Sequence, residues 1–222
     1  MMTIMKKRML ICFDLDETLI HGTKAHINAY QKAFKTFGLK KVKNKRIIQQ
    51  FGIVGKALVK MLYPFLNHDK IEKIVSAHDS FLLNDTHRYV RPIPGAGRAL
   101  RALKKNGYQL ALVSNCSHRI LFKLMKAGKI ERRLFSACIG NDQVLHPKPA
   151  PDEIIKAEHL LRLKADYMVG DTIYDIMAGT RAGVKVISVM TGHQNERILR
   201  KYKPHAILKS AAYLPKFLEK DL

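Results

Sequence analysis

The sequence predicts an α/β fold in which a parallel sheet carries helices on both faces. Met9–Phe13 is an unbroken apolar run that ends abruptly in acidic residues, as in a buried parallel strand whose carboxyl end reaches a site. After Pro92, Pro94 and Gly95, short apolar strands alternate with amphipathic helices, which is typical of βα units. These two observations together predict a parallel sheet.

The segment between the first strand and this proline cluster is predicted to be helical. Apolar residues at helical spacing predict a helix over Thr23–Phe37, which Gly38 ends. Pro64 is expected to end or kink the second of three further helices. These three are predicted around Ile47–Phe51, Ala57–Leu62 and Ile71–Leu83. Roughly residues 20–90 therefore form a helical insertion over the carboxyl edge of the sheet.

The remaining elements are predicted in order from the same patterns and from their glycine stops. They are helix Gly97–Lys105, strand Gln109–Ser114, helix Arg119–Lys126, strand Ala137–Gly140, helix Asp152–Leu161, strand Tyr167–Val169, helix Asp175–Ala182, strand Lys185–Val189, strand Ala206–Leu208 and helix Ala212–Leu218. Such alternation continues the parallel sheet to the end of the chain.

Length and composition fit a folded enzyme. The 222 residues suffice for a main domain with a smaller insertion, and 47% hydrophobic with 26% charged residues is ordinary for a globular protein. Three widely spaced cysteines, Cys12, Cys116 and Cys138, show no spacing typical of a disulfide framework or a zinc site, so a reducing cytoplasm is expected. The apolar run after the basic segment Met1–Arg8 is too short for a signal peptide or a membrane span, and no membrane partner is expected.

The formal net charge of +22 would suit nucleic acid, anionic membranes or phosphorylated metabolites as partners. The basic residues are dispersed and lack interleaved aromatic residues. A solvated basic surface is therefore favoured, and binding of nucleic acid stays an alternative that only the charge motivates.

Two acidic pairs follow predicted strands. Asp14 and Asp16 lie two apart after the first strand, so their side chains point the same way on an extended chain. Asp171 and Asp175 follow the strand Tyr167–Val169. Because the carboxyl ends of parallel strands meet at one edge, the four carboxylates converge there. Their mutual repulsion predicts a bound hard cation, and an oxygen-rich site suits Mg²⁺.

These groups are suited to phosphoester hydrolysis. Asp14 is a nucleophile, and its attack on a phosphate dianion needs Mg²⁺ and a fixed ammonium, for which Lys148 is the candidate. Ser114 and Asn115 end a strand, where they can hold phosphoryl oxygens. Asp16 is predicted to protonate the leaving oxygen and then to take a proton from the water that hydrolyses the aspartyl phosphate.

Four motifs resemble those of the haloacid dehalogenase superfamily. They are Asp14-Leu15-Asp16-Glu17-Thr18, Ser114-Asn115, Lys148-Pro149 and Gly170-Asp171-Thr172-Ile173-Tyr174-Asp175. The match covers nearly the whole chain, and the helical insertion after the first motif is similar to the phosphoglycolate phosphatase-like branch. The resemblance implies a Rossmann-like core over residues 1–20 and 91–222 and a mobile helical cap domain over residues 21–90.

The resemblance also implies roles for individual residues. Asp14, the backbone carbonyl of Asp16, and Asp171 would hold the metal ion, and Asp175 would support the metal shell. Thr18 joins the phosphate-binding residues.

The segment Phe51–Lys56 is the candidate cap loop that reaches toward the leaving group, because Gly52 and Gly55 make it flexible and Lys56 follows them. A plain helix connection is the alternative. Five histidines lack ligand spacing and are expected on surfaces or helix faces without a role: His21, His26, His68, His78 and His193. Cys12 and Cys116 are expected to pack rather than react.

The sequence thus predicts a magnesium-dependent phosphomonoesterase for a small, phosphoglycolate-like metabolite, acting as a monomer or homodimer. Relatives that cleave carbon–halogen bonds lack the second acidic residue of the first motif, whereas Asp16 is present here. A sugar phosphomutase of the same superfamily and a non-catalytic basic nucleic-acid-binding protein remain alternatives. A receiver domain is disfavoured because such domains are about half this length and lack the inserted helices.

Overall fold

The computed structural model of the protein describes residues 9–221, and the basic segment Met1–Arg8 lies outside the described residues. The strands are β1 (Leu10–Phe13), β2 (Ile20–His21), β3 (Arg91–Pro92), β4 (Gln109–Ser114), β5 (Ala137–Gly140), β6 (Ala165–Gly170), β7 (Lys185–Val189) and β8 (Ala206–Leu208). The helices are α1 (Thr23–Thr36), α2 (Asn44–Ile48), α3 (Gly55–Leu62), α4 (His68–Asn84), α5 (Ala96–Lys105), α6 (His118–Ala127), α7 (Asp152–Leu161), α8 (Ile173–Ala182), α9 (Glu196–Lys201) and α10 (Leu214–Asp221).

Six strands form one parallel sheet in the order β5-β4-β1-β6-β7-β8. The strand order reverses on the two sides of β1, because β4 and β5 follow on one side and β6, β7 and β8 on the other. Ligands of open α/β sheets bind at such a reversal, outside the carboxyl ends of the strands. The predicted α/β fold with its parallel sheet is confirmed.

The two faces of the sheet bury two separate hydrophobic clusters. On β1, Ile11 and Phe13 belong to one cluster, whereas Leu10 and Cys12 belong to the other. This alternation follows from the two-residue period of a strand. Because both faces are covered by helices, every residue of β1 is buried, which explains its unbroken apolar run.

The helices α1 to α4 form the insertion between β1 and the rest of the sheet. They surround a third cluster of buried apolar residues, among them Tyr30, Phe34, Val59 and Ile74. The short antiparallel pair of β2 and β3 joins the two ends of this insertion.

Most predicted elements lie within two residues of the observed ones, and the differences have local causes. The second predicted helix is shifted, since α2 ends at Ile48 and a turn occupies Gln49–Phe51. The pair β2 and β3 escaped prediction because two-residue strands carry no alternation. Helix α9 was also missed, although Asn195 caps it by accepting a hydrogen bond from the backbone N–H of Ile198 at 3.0 Å.

Within residues 9–221, the structure contains no helix that is both long and apolar enough to cross a membrane.

Candidate active site

One large cleft opens at the carboxyl edge of the sheet and has a volume of about 830 Å³. Its floor carries side chains at the carboxyl ends of β1, β4 and β6, including Asp14, Ser114 and Asp171. Residues of α1, of the α2–α3 connection and of α4 form the opposite wall. The helical insertion therefore covers the edge at which the sequence predicted a site.

A buried cluster of three carboxylates and one ammonium lies on the floor. Asp14, Asp171 and Asp175 each offer an oxygen, and these oxygens lie within 4.8 Å of one another. The Nζ atom of Lys148 donates to Asp14 Oδ1 and to Asp175 Oδ1, both at 2.7 Å, and to the carbonyl of Val113 at 3.1 Å. Four distant segments of the chain thus meet in one polar cluster.

The electrostatics of this cluster favour an added cation. Burial raises the pKa of Asp14 to about 7, although the ammonium of Lys148 opposes the rise. Burial also raises the pKa of Asp171 well above its ordinary value, and the carboxylates of Asp14 and Asp175 add to the effect. When all three carboxylates are ionised, the cluster with its one ammonium carries two net negative charges, which a divalent cation would balance.

The residues around Asp171 hold its carboxylate in place. Thr18 is fully buried, and its hydroxyl donates to Asp171 Oδ1 at 3.2 Å. A Cβ atom on Gly192 would lie 1.9 Å from Asp171 Oδ2, so only glycine permits this approach. Thr18 was expected to bind phosphate, but it does not line the cleft and instead positions Asp171 from behind.

Asp175 lies in the first turn of α8 and is fixed by a capping box with Thr172. Thr172 accepts from the backbone N–H of Asp175, and Asp175 Oδ2 accepts from the backbone N–H of Thr172 at 3.0 Å and from its hydroxyl at 2.7 Å. The other carboxylate oxygen of Asp175 accepts from Lys148. Asp175 therefore holds both the helix start and the ammonium.

Ser114 and Asn115 both line the cleft at the end of β4. The Ser114 hydroxyl accepts from the backbone N–H of Cys116 at 3.2 Å. The amide nitrogen of Asn115 donates to the carbonyl of Gly52 at 2.7 Å and to the carbonyl of Lys148 at 2.9 Å. Asn115 thus connects the insertion to the turn that carries the ammonium.

The predicted cap loop does reach the cleft, which Gly52, Gly55 and Lys56 all line. Gly52 has a φ of +98°, and a Cβ atom there would lie 2.6 Å from the ring of Tyr174. Lys56 is exposed and forms an ion pair with Glu72 of α4. Such an exposed ion pair contributes little stability and holds the ammonium only weakly.

Three of the five histidines that were given no role line the cleft, namely His26, His78 and His193. His26 Nε2 lies 3.4 Å from Asp16 Oδ1, and His26 Nδ1 lies 3.2 Å from Nε2 of the buried His78. Helical spacing in the sequence indicated this position, since His26 precedes Tyr30 by one helical turn and so shares its buried face. The rings of His26 and His78 therefore help to build the wall beside Asp16.

A second group of potential metal ligands consists of Asp16, His26 and Cys116. Burial raises the pKa of the Cys116 thiol well above its ordinary value, so this side chain is a neutral thiol and a poor partner for a hard cation. Burial also raises the pKa of the Cys12 thiol to about 12, as suits a packed cysteine. The all-oxygen cluster is the better metal site.

Glu17 was missed by sequence reasoning as a residue that shapes the site. It has a φ of +56°, and its carboxylate accepts from the backbone N–H of Thr23 at 2.9 Å and from the Thr23 hydroxyl at 2.7 Å. Its carbonyl accepts from the hydroxyl of Thr191. Glu17 therefore fixes the turn after Asp16 to the start of α1.

Comparisons with known proteins agree with this geometry. The family described as haloacid dehalogenase-like hydrolase matches residues 11–189. A curated relative named pyrophosphatase PpaX, from Halalkalibacterium halodurans, is 28% identical over 202 residues, which cover 90% of this chain and 92% of the relative.

Two solved structures show the same fold. A haloacid dehalogenase-like family hydrolase from Streptococcus pneumoniae has a TM-score of 0.81 at 21% identity and covers 95% of this chain and 98% of its own. A predicted phosphoglycolate phosphatase from Haemophilus somnus has a TM-score of 0.83 at 24% identity and covers 96% of this chain and 99% of its own. The predicted resemblance is confirmed, and the protein is an enzyme of the phosphatase type: the chain belongs to the haloacid dehalogenase-like hydrolase family.

Proposed function

We propose that the protein is a magnesium-dependent phosphomonoesterase that works through an aspartyl phosphate on Asp14. The observation that carries this proposal is the buried contact of Lys148 with both Asp14 and Asp175, beside Asp171. A carboxylate that must attack an anionic phosphate needs such fixed positive charge around it. The bound Mg²⁺ would neutralise the phosphoryl oxygens and the carboxylate cluster.

Asp14 and Asp16 would have different roles in the reaction. Asp14 forms a bond to phosphorus while the ester oxygen leaves with a proton from Asp16. Asp16 then removes a proton from the water that attacks the aspartyl phosphate, so inorganic phosphate departs and Asp14 is restored. Ser114 and the backbone after β4 would bind phosphoryl oxygens, and Asn115 would keep the cap loop and the lysine turn together.

The metal would be held by Asp14, the backbone carbonyl of Asp16, and Asp171, with Asp175 behind them. We propose further that residues 21–90 act as a cap that closes over a core formed by residues 1–20 and 91–222. The separate hydrophobic cluster of α1 to α4 supports this division. Gly52, Gly55 and Lys56 belong to the proposed substrate loop of the cap.

The test is phosphate release from a panel of phosphomonoesters by wild type and Asp14→Asn, each with Mg²⁺ and with EDTA. We expect release only from wild type with Mg²⁺, because a side-chain amide at this position cannot form the phosphoenzyme. Tm values of the two proteins in EDTA serve as the control for folding. Turnover by Asp14→Asn, once deamidation is excluded by mass spectrometry, would contradict the mechanism. The panel also tests the prediction of a phosphoglycolate-like substrate.

A further inference from the structure

The cleft extends well beyond the carboxylates, into a space that phosphoryl transfer itself does not need. Its far wall is largely apolar and is built by Tyr30, Phe51, Ile53, Val54, Leu58 and Val75. Apolar pockets of roughly 300–1,000 Å³ accommodate drug-sized organic molecules, and this cleft measures about 830 Å³. A glycolate or a second phosphate would fill a small part of it.

The charges of the cleft also disfavour an anionic leaving group. Among the described residues, Lys56 and Lys148 are the only lysines or arginines that line it, against seven acidic residues. Lys148 is held by Asp14 and Asp175, and Lys56 pairs with Glu72 on the surface. Lys148 is thus engaged by two carboxylates, and Lys56 is an exposed ammonium in a weak surface ion pair, so the described lining offers little positive charge to a carboxylate or a second phosphate.

Aromatic rings frame the apolar part of the cleft. The ring centroid of Phe51 lies 6.0 Å from that of His26 and 6.1 Å from that of His193. All three side chains line the cleft, and Phe51 comes from the connection between α2 and α3. Edge and face contacts with such rings favour a flat, ring-bearing ligand.

We infer that the leaving group of the substrate is an uncharged alcohol that carries an aromatic or similarly flat apolar ring, rather than glycolate or a second phosphate. This inference rests on the proposed phosphomonoesterase activity. The ring would pack on Phe51, Ile53 and Val75 while its ester oxygen takes the proton from Asp16. The far wall thus selects the alcohol, and the carboxylate floor acts on the phosphoryl group common to all esters.

The test compares kcat/KM for benzyl phosphate, 2-phosphoglycolate and pyrophosphate with wild type and Mg²⁺. Benzyl phosphate and phosphoglycolate are both esters of primary alcohols, so the comparison reports mainly on the pocket. We expect benzyl phosphate to be preferred over each of the two anionic compounds by about tenfold or more, given the apolar area of one ring.

Two matched variants connect the preference to the far wall. Ile53→Lys places a cation in the pocket and should lower the ratio of kcat/KM for benzyl phosphate over phosphoglycolate by about tenfold, through a higher KM for benzyl phosphate. Met61→Lys makes the same change on α3 at a side chain that is exposed and does not line the cleft, and it should leave the ratio unchanged.

Equal or better turnover of phosphoglycolate or pyrophosphate by wild type would overturn the inference and leave the proposed phosphatase standing. An unchanged ratio in Ile53→Lys would also overturn it. Failure to hydrolyse all three compounds and the wider ester panel would instead refute the proposed function on which it rests.

Discussion

Glu153 is a fully buried carboxylate beside the lysine turn, and the proposed reaction does not use it. Its Oε1 atom accepts from the backbone N–H of Lys148 at 3.3 Å, while Oε2 has no hydrogen-bond partner among the described residues. Burial raises the pKa of Glu153 to about 7, although the charge of Lys148 opposes this. An uncompensated buried charge destabilises the folded state.

The sign of the pH effect follows from linkage. Between about pH 4.5 and pH 7 the folded protein retains a proton that the unfolded chain has released, so the free energy of unfolding falls as pH rises. The loss approaches about 3 kcal/mol above pH 7, at 1.36 kcal/mol for each pKa unit. Glu153→Gln should therefore be more stable than wild type at pH 8 and similar to it near pH 4.5. Urea unfolding in EDTA at both pH values measures this.

A control variant lies on the same helix. Glu158 is also buried, but its carboxylate accepts from Lys164 Nζ at 2.7 Å and from the backbone N–H of Ala165 at 2.9 Å. Glu158→Gln should therefore destabilise the protein at pH 8, opposite to Glu153→Gln. If Glu153→Gln lost stability at pH 8, the buried charge of Glu153 would have to be compensated by its surroundings, against this prediction.

Among single residues, the ones that the sequence placed in the site are those at the carboxyl ends of strands. Asp14, Ser114 and Asp171 follow buried apolar strands, and topology alone brings such positions together. Glu153 and His26 sit on helices, and whether a helical side chain faces the site depends on how the helix packs. That packing is a tertiary property, which explains why the residue pattern did not assign them.

Among the elements, the connection between α2 and α3 brings the insertion to the site. Gly52 and Gly38 both adopt positive φ, at +98° and +67°. A Cβ atom on Gly38 would meet nothing within 4 Å, whereas one on Gly52 would meet Tyr174 and Thr172 at the cleft. The two positions share a backbone constraint and differ in their surroundings.

This difference yields a paired prediction. Both Gly38→Ala and Gly52→Ala should cost about 1 kcal/mol of stability, because alanine is strained at positive φ. Only Gly52→Ala should displace the connection, weaken its hydrogen bond to Asn115 and lower kcat/KM by about tenfold or more. Thermal unfolding and steady-state kinetics of the two variants measure both effects. Equal kinetics in the two variants would mean that the connection does not position the substrate.

The strands and helices also show which sequence signals were sufficient to predict the bounds of an element. Strands β4, β5, β7 and β8 have the predicted bounds. The interiors of β4, β5 and β7 are buried and therefore apolar, whereas β8 is a half-buried strand at the edge of the sheet that is apolar as well. Helix α2 was placed too far along the chain, since Phe51 continues the apolar spacing although it lies in the turn after the helix. There its side chain packs against the third hydrophobic cluster and lines the cleft, so an apolar residue of a turn has the same pattern in sequence as one of a helix.

For the whole molecule, the distribution of charge matters more than its total. The chain carries a formal net charge of +22, yet seven of its 18 acidic residues line one cleft. The basic exterior attracts anions by long-range electrostatics, while the acidic interior of the cleft requires a cation before an anion can bind there. A divalent cation should consequently stabilise the entire fold, because it binds the native cluster and not the dispersed carboxylates of the unfolded chain.

Thermal unfolding with Mg²⁺ and with EDTA at pH 8 tests this for wild type and Asp171→Asn. A ligand at about 100 times its Kd adds about 2.7 kcal/mol, which corresponds to a rise in Tm of about 5 to 10 °C for a chain of this size. Asp171→Asn removes a buried carboxylate whose pKa is already raised by burial and by Asp14, so its Tm in EDTA should exceed that of wild type. The same change removes a proposed metal ligand, so its Tm should no longer respond to Mg²⁺.

Asp142→Asn is the matched control, because Asp142 also lines the cleft but lies outside the carboxylate cluster. Its Oδ1 atom accepts from the backbone N–H of His118 at 2.7 Å, a bond that an amide oxygen preserves. Asp142→Asn should therefore keep the full response to Mg²⁺. If the Tm of Asp171→Asn still responded to Mg²⁺ and that of Asp142→Asn did not, the metal would bind outside the carboxylate cluster. Opposite shifts of Tm in EDTA and in Mg²⁺ for Asp171→Asn would show that the carboxylate of Asp171 destabilises the metal-free fold and stabilises the metal-bound one, as expected of the proposed metal ligand.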